Sequence, residues 1–164
     1  MKRRTGPNRD IVALLLERGA TVRSLRAAAG LGQSELVDVF FDGGALTPTA
    51  RPIRSPLSDT VPADVANDPA AIIDNAFVMA VNRGQLRTAK QLYGLGARVD
   101  EKPPGYRWHG TASYAAAWRG DAELVRWLMS IGADPHIRDG LANSDATGWA
   151  NHHGHHEIAE LLHE

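Results

Sequence analysis

The sequence predicts an all-α solenoid of stacked antiparallel helix pairs, in about four to five units, with a proline-rich insertion at 46–67. Three observations predict it. One pattern recurs five times: a glycine or near-glycine turn, an apolar helical run, then Gly-Ala or the end of the sequence. It reads PNRDIVALLLERGA from Pro7, GQSELVDVFFDGGA from Gly32, GQLRTAKQLYGLGA from Gly84, GDAELVRWLMSIGA from Gly120 and GHHEIAELLHE from Gly154. The spacing is regular. Gly-Ala pairs at Gly19, Gly44, Gly96 and Gly132 lie 25, 52 and 36 residues apart, and turn glycines at Gly32, Gly84, Gly120 and Gly154 lie 52, 36 and 34 apart. The shared long interval marks an insertion of roughly 19 residues on a period of about 33. Finally, alanine-rich runs precede the last four turn glycines: LRAAAGLG, FVMAVNRG, SYAAAWRG and GWANHHG. Small side chains there let two helices approach closely. No unit of this size buries its apolar face alone, so stability comes from stacking on neighbours.

Each element follows in order. The unit near 1–22 is an amphipathic helix whose apolar run, Ile11 to Leu16, is bracketed by Asp10 and Glu17. That run is shorter than a signal-peptide core or a membrane span. The unit near 23–45 pairs a short alanine-rich helix with a second helix carrying Leu36, Val37, Phe40 and Phe41 on one face. Residues 46–73 break the rhythm and hold five of the nine prolines, which predicts a loop as far as about Asn67. The unit at 68–100 starts on a helix with Asp68 as N-cap and Pro69 in its first turn. The units near 101–136 and 137–164 repeat the apolar face as Leu124, Val125, Leu128 and Met129, then as Ile158, Ala159, Leu161 and Leu162. Glycine after the last helical turn supplies the left-handed cap. Together the units form a single domain over 1–164. A half unit at the start and a bare helix at the finish predict either a homodimer through an uncapped end or a polar remodelling of that end.

Composition narrows the function classes. At 43% hydrophobic and 23% charged residues the chain is that of a folded soluble protein. A net charge of -1 gives no global attraction to nucleic acid or to acidic membranes. The basic N-terminal portion, Arg3, Arg4, Arg9, Arg18, Arg23 and Arg26, is dispersed among acids without aromatic platforms and reads as a solvated helix face. Cysteine is absent, which excludes disulfides and thiolate metal sites and fits a cytoplasmic location.

On these spacings and on GDAELVRWLMSIGADPHIRD and DATGWANHHGHHEIAELL, the chain resembles the ankyrin-repeat family, in a bacterial form, over nearly its whole length outside the insertion. The resemblance implies helix pairs with hairpin fingers at right angles, and protein binding through the fingers and first helices. It implies no enzymatic activity and no cofactor. The family's Thr-Pro-Leu-His start is replaced by RSLR from Arg23, NAFV from Asn75, TASY from Thr111 and DATG from Asp145. The hydrogen bonds that tie finger to helix are therefore expected to differ.

Within that pattern Trp118 and Trp149 are expected at first-helix positions facing the groove, with Trp108 in the preceding finger beside Tyr106 and Arg107. Tryptophan, tyrosine and arginine dominate binding hot spots because they bury large rigid area and keep a polar handle. The expected partner-binding set is Met79, Arg83, Tyr106, Arg107, Trp108, Trp118, Arg119, Trp149, His152 and His153; Trp127 is expected in the core. The alternative packs Trp108 and Trp149 on each other or on the insertion. A second function class is metal binding by His152, His153, His155 and His156 with Glu157 and Glu160, since imidazole and carboxylate are ligands for zinc, nickel or copper. Gly154 interrupts that cluster, and His155 stands where the family carries a structural histidine. A third class, an enzyme using Ser113, His109, Asp121 and Glu123, has the residue types of a nucleophile, base and orienter but no recognisable order. The partner expected is another protein, without nucleic acid or membrane.

Overall fold

The computed structural model describes residue 14 and residues 17–50, 61–104 and 110–163. The unit near 1–22 lies almost wholly outside them, as do Tyr106, Arg107, Trp108 and His109. Among the described residues the helices are α1 (Leu25–Leu31), α2 (Ser34–Asp38), α3 (Ala63–Ala66), α4 (Pro69–Asn82), α5 (Leu86–Gly94), α6 (Ala112–Arg119), α7 (Ala122–Ser130), α8 (Ala146–His152) and α9 (His156–Leu161). Strands β1 (Phe41–Asp42) and β2 (Ala45–Leu46) form one antiparallel hairpin.

The first helices form one layer: α1 packs on α4, α4 on α6, and α6 on α8. Each is followed by the second helix of its pair, and these second helices make the other layer, with α2 against α5 and α7 against α9. Pairs therefore neighbour one another in chain order. The seam between first helices is alanine: Ala28 and Ala29, Ala76 and Ala80, Ala115 to Ala117, Ala146 and Ala150 are all buried. Methyl side chains bring the axes close, and the larger Leu25, Phe77, Val81, Leu92, Leu124 and Leu128 fill the space between the layers.

Local chemistry sets where the helices begin and turn. Ser24 accepts a hydrogen bond from the Ala27 amide, Asp68 from Ala70 and Ala71, Thr111 from Tyr114, Asp121 from Leu124 and Asp145 from Gly148, satisfying amides that the first turn leaves free. Asp68 and Pro69 stand as the sequence predicts. The two glycine ladders coincide with left-handed backbone: φ is 72°, 74°, 65° and 74° at the turn glycines, and 85°, 98° and 87° at Gly19, Gly96 and Gly132.

Two expectations are corrected in the second unit. Its second helix stops at Asp38, so Phe40 and Phe41 are not on a helical face. The Gly-Ala pair at Gly44 is not a helix cap. Gly43 and Gly44, at φ 57° and 85°, are the central residues of a two-residue β-hairpin, and positive φ at both is the type I′ turn that matches strand twist. Two adjacent glycines make this turn cheaper than another helical turn ending at one. The insertion is also not all loop. It begins with β2, and α3 forms one turn after Pro62, which the proline count obscures because proline is welcome before a helix. Trp127, expected in the core, is half-buried between Phe77 and Tyr93, each 6.1 Å away by ring centroid.

Carboxylates take over the finger ties. Buried Asp74 of α4 accepts the Arg98 amide at 2.8 Å and its guanidinium at 2.9 and 2.6 Å. Asp100 Oδ1 accepts the Asp134 amide at 2.9 Å, linking one finger to the next. Asn75, at the family's threonine position, donates from Nδ2 to the Pro104 carbonyl at 2.6 Å.

Candidate partner-binding groove

The site begins with an aromatic seam between α6 and α8. Tyr114 and Trp118 are four residues apart on α6 and so share a face. Trp149 of α8 meets both, with centroids 5.3 Å from Tyr114 and 4.9 Å from Trp118. His153 packs against both tryptophans, 4.2 Å from Trp118 and 5.9 Å from Trp149, and His152 meets Trp149 edge-on at 5.4 Å. Trp118 remains 40% exposed, whereas Trp149 is 9% exposed. Trp118 is thus a rigid apolar ledge held from behind.

Trp149, expected to face the groove, sits in the stack. The reason is Asp139. Its Oδ2 accepts the Trp149 indole N–H at 2.6 Å and the Ser144 amide at 3.1 Å, while Oδ1 accepts the Leu141 and Ala142 amides, both at 2.7 Å. One buried carboxylate therefore folds the 139–145 loop and pins the indole inward. Burial alone would raise the Asp139 pKa; the Trp149 bond and the three amides outweigh it and hold it below the ordinary value. Burial, then the Asp139 charge, push the Tyr114 hydroxyl well above its usual range. His153 titrates lower than usual because it is partly desolvated against the indoles, with the charges of His152 and His155 adding to this.

Sequence reasoning missed Asp139 and Tyr114. The signals were available: Asp-Gly-Leu-Ala-Asn-Ser is a turn-rich run in which Asp caps following amides, and Tyr114 precedes Trp118 by one helical turn. It also missed Asp74, because a buried acid inside FVMAV-type apolar sequence finds its partner only after the chain returns.

The other expected residues fall along the same helices. Met79 is half-buried, lying over Gly30 of α1, and the Arg83 stem lies beside it. Arg83 and Arg119 are exposed, and Arg119 donates to the Asn82 carbonyl at 3.1 Å. His152 and His153 are exposed. Tyr106, Arg107 and Trp108 lie outside the described residues.

The alternatives fare differently. No group of three or more His, Asp or Glu among the described residues is placed to hold a metal ion. His156 pairs with Asn151 at 3.3 Å, and His155 sits against Gly120 of the preceding turn. Of the enzyme set, Ser113 is 2% exposed with no partner for its hydroxyl, and Asp121 caps α7. A depression lined by Ala20, Val22, Gln33 and Glu35 lies at the far end of the described stack from the aromatic seam. Among the described residues no helix is long and apolar enough to cross a membrane.

The fold defines the class: a mostly helical protein built from stacked helix pairs. Residues 110–140, spanning the finger into α6 through α7 to the next finger, match the family model described as Ankyrin repeat. That stretch supports an ankyrin-repeat assignment, and ankyrin-repeat domains in general bind other proteins. No curated protein matches the chain.

Proposed function

We propose that the chain is a protein-interaction module that holds its partner in the groove formed by the fingers and first helices. Trp118 carries the reading: a large aromatic side chain, 40% exposed, held by tilted ring contacts with Trp149 and His153. Such a ledge loses little conformational entropy on binding. Met79, Arg83, Arg119, His152 and His153 extend it, with Tyr106, Arg107 and Trp108 as further contacts expected from the sequence; Trp149 contributes as the support beneath. The units near 1–22, 23–45, 68–100, 101–136 and 137–164 act as one domain, in the cytoplasm. The large excess of Arg over Lys, with abundant Ala, fits a bacterial source by association only.

A homodimer through an uncapped end is the less favoured arrangement. The exposed residues of α9 are His156, Glu157 and Glu160, all polar, so that face lacks the apolar area a dimer needs.

The test is affinity enrichment from the source cell, repeated with Trp118→Ala as bait. Proteins recovered by the native chain and lost with the variant are expressed and titrated calorimetrically. A reconstituted complex weakened by Trp118→Ala is expected; a complex indifferent to it overturns the groove.

A further inference from the structure

The turns that end the first helices lie in a row. The turn glycine of each unit faces a side chain of the next: Gly32 meets Gln85, Gly84 meets Arg119, and Gly120 meets His155. This edge therefore runs continuously along the stack, at the end of the first helices opposite the fingers. Arg83 and Arg119 stand exposed on it, followed by His152 and His153.

Their charges are not answered within the described structure. The ion pairs among the described residues are Arg87–Glu35, Arg98–Asp74 and Arg98–Glu101, and neither edge arginine belongs to one. Asp121, the acid in the turn after Arg119, accepts the Leu124 amide at 3.3 Å as an N-cap. Arg119 is already positioned, because its bond to the Asn82 carbonyl holds the guanidinium over Gly84 while leaving further N–H donors. Acids are not confined to one end: Glu35, Glu123 and Glu157 stand in the first turns of the second helices, Glu35 paired with Arg87, while Glu101 at the finger end is paired with Arg98. Arg83 and Arg119, outside the ion pairs, are the charges that draw an anionic group to the turn edge.

Resting on the interaction-module reading, we propose that the bound segment is an acidic, extended stretch of a partner protein lying along the turn edge. Its carboxylates meet Arg83 and Arg119, and one apolar side chain sits on the Trp118–His153 ledge. From Arg83 to His153 is two interhelix steps of about 8–10 Å each. That span takes roughly six residues of extended chain at about 3.3 Å per residue. A nucleic-acid strand fits less well: two arginines and one ledge offer few phosphate contacts.

Random-peptide display on the full chain decides it. Enriched peptides are expected to carry aspartate and glutamate around one aromatic or aliphatic residue. A synthetic member of that set should lose binding on Trp118→Ala. It should weaken about tenfold in Arg83→Glu/Arg119→Glu, with circular dichroism showing the fold intact, and weaken as salt rises. Enriched peptides that are basic or uncharged but still lost on Trp118→Ala would sink the acidic partner and leave the module standing. No enrichment, or enrichment blind to Trp118→Ala, would sink both. Displacement of the acidic peptide by a single-stranded oligonucleotide at equal or lower concentration would overturn the assignment to a protein segment.

Discussion

At the residue scale the two tryptophans of the seam separate support from contact. Trp149 is enclosed and its N–H is bonded, so Trp149→Ala leaves a cavity and an unanswered Asp139; we expect a loss of about 3 kcal/mol or more in urea denaturation. Trp118→Ala removes a half-exposed ring and should stay within about 1 kcal/mol. Equal losses would mean that Trp118 is core rather than ledge. Titration gives a second residue-scale expectation. His153 is held below its ordinary value of 6.5 in the folded chain, so the unfolded chain takes the proton first as pH falls. Its contribution is complete above 6.5 and declines as pH drops from there through the folded value. The melting temperature should therefore fall between about pH 7.5 and pH 5.5 and fall less in His153→Gln. Asp139 carries its charge in the favoured state, and its stabilisation fades only as pH falls below 3.8. Neither feature follows from the sequence pattern, because both depend on which side chains meet across the seam.

At the element scale the glycines distinguish two duties. Gly132 has φ 87° with open space where a side chain would go, so Gly132→Ala should lose only the left-handed strain, about 1 kcal/mol. Gly120 has φ 65°, and a methyl group there would stand 2.6 Å from the His155 ring, so Gly120→Ala must also displace the next unit's turn. Denaturation midpoints should rank the two in that order; a reversal would contradict the packing of one turn on the next. The glycine ladders were legible in the sequence because left-handed caps admit few residues, and the N-cap at Asp68 because proline follows it in the first turn. The hairpin at Gly43 and Gly44 was not, since a run of Phe-Phe before Gly-Gly serves a helix end or a strand equally well until the pairing partner is known. Asn also tolerates the left-handed turn. A Cβ at Gly43 meets no neighbour within 4 Å, so Gly43→Asn should be neutral or stabilise by up to about 1 kcal/mol through the unfolded chain.

For the whole molecule, the order of stacking matters more than any single bond. The sequence repeat discloses that order, because each unit contacts only its neighbours. What it hides is how the units are tied, which rests on acids such as Asp74, Asp100 and Asp139 that have no periodic signature. Those ties are unequal along the stack. α4 lies between α1 and α6 and carries the buried Asp74–Arg98 pair, while among the described residues the main contacts of α8 and α9 outside their own pair are with α6 and α7. In a solenoid the free energy is a sum of unit and neighbour contributions, so the pair with fewer ties opens first. Amide exchange should therefore be slowest in α4 and faster in α8 and α9. Leu162→Ala, which truncates a side chain 3% exposed beneath α9, should accelerate exchange in α8 and α9 and loosen Trp118 while leaving α4 protected. Uniform acceleration across all pairs would instead show one cooperative unit, and the ledge would then be as stable as the core that carries it.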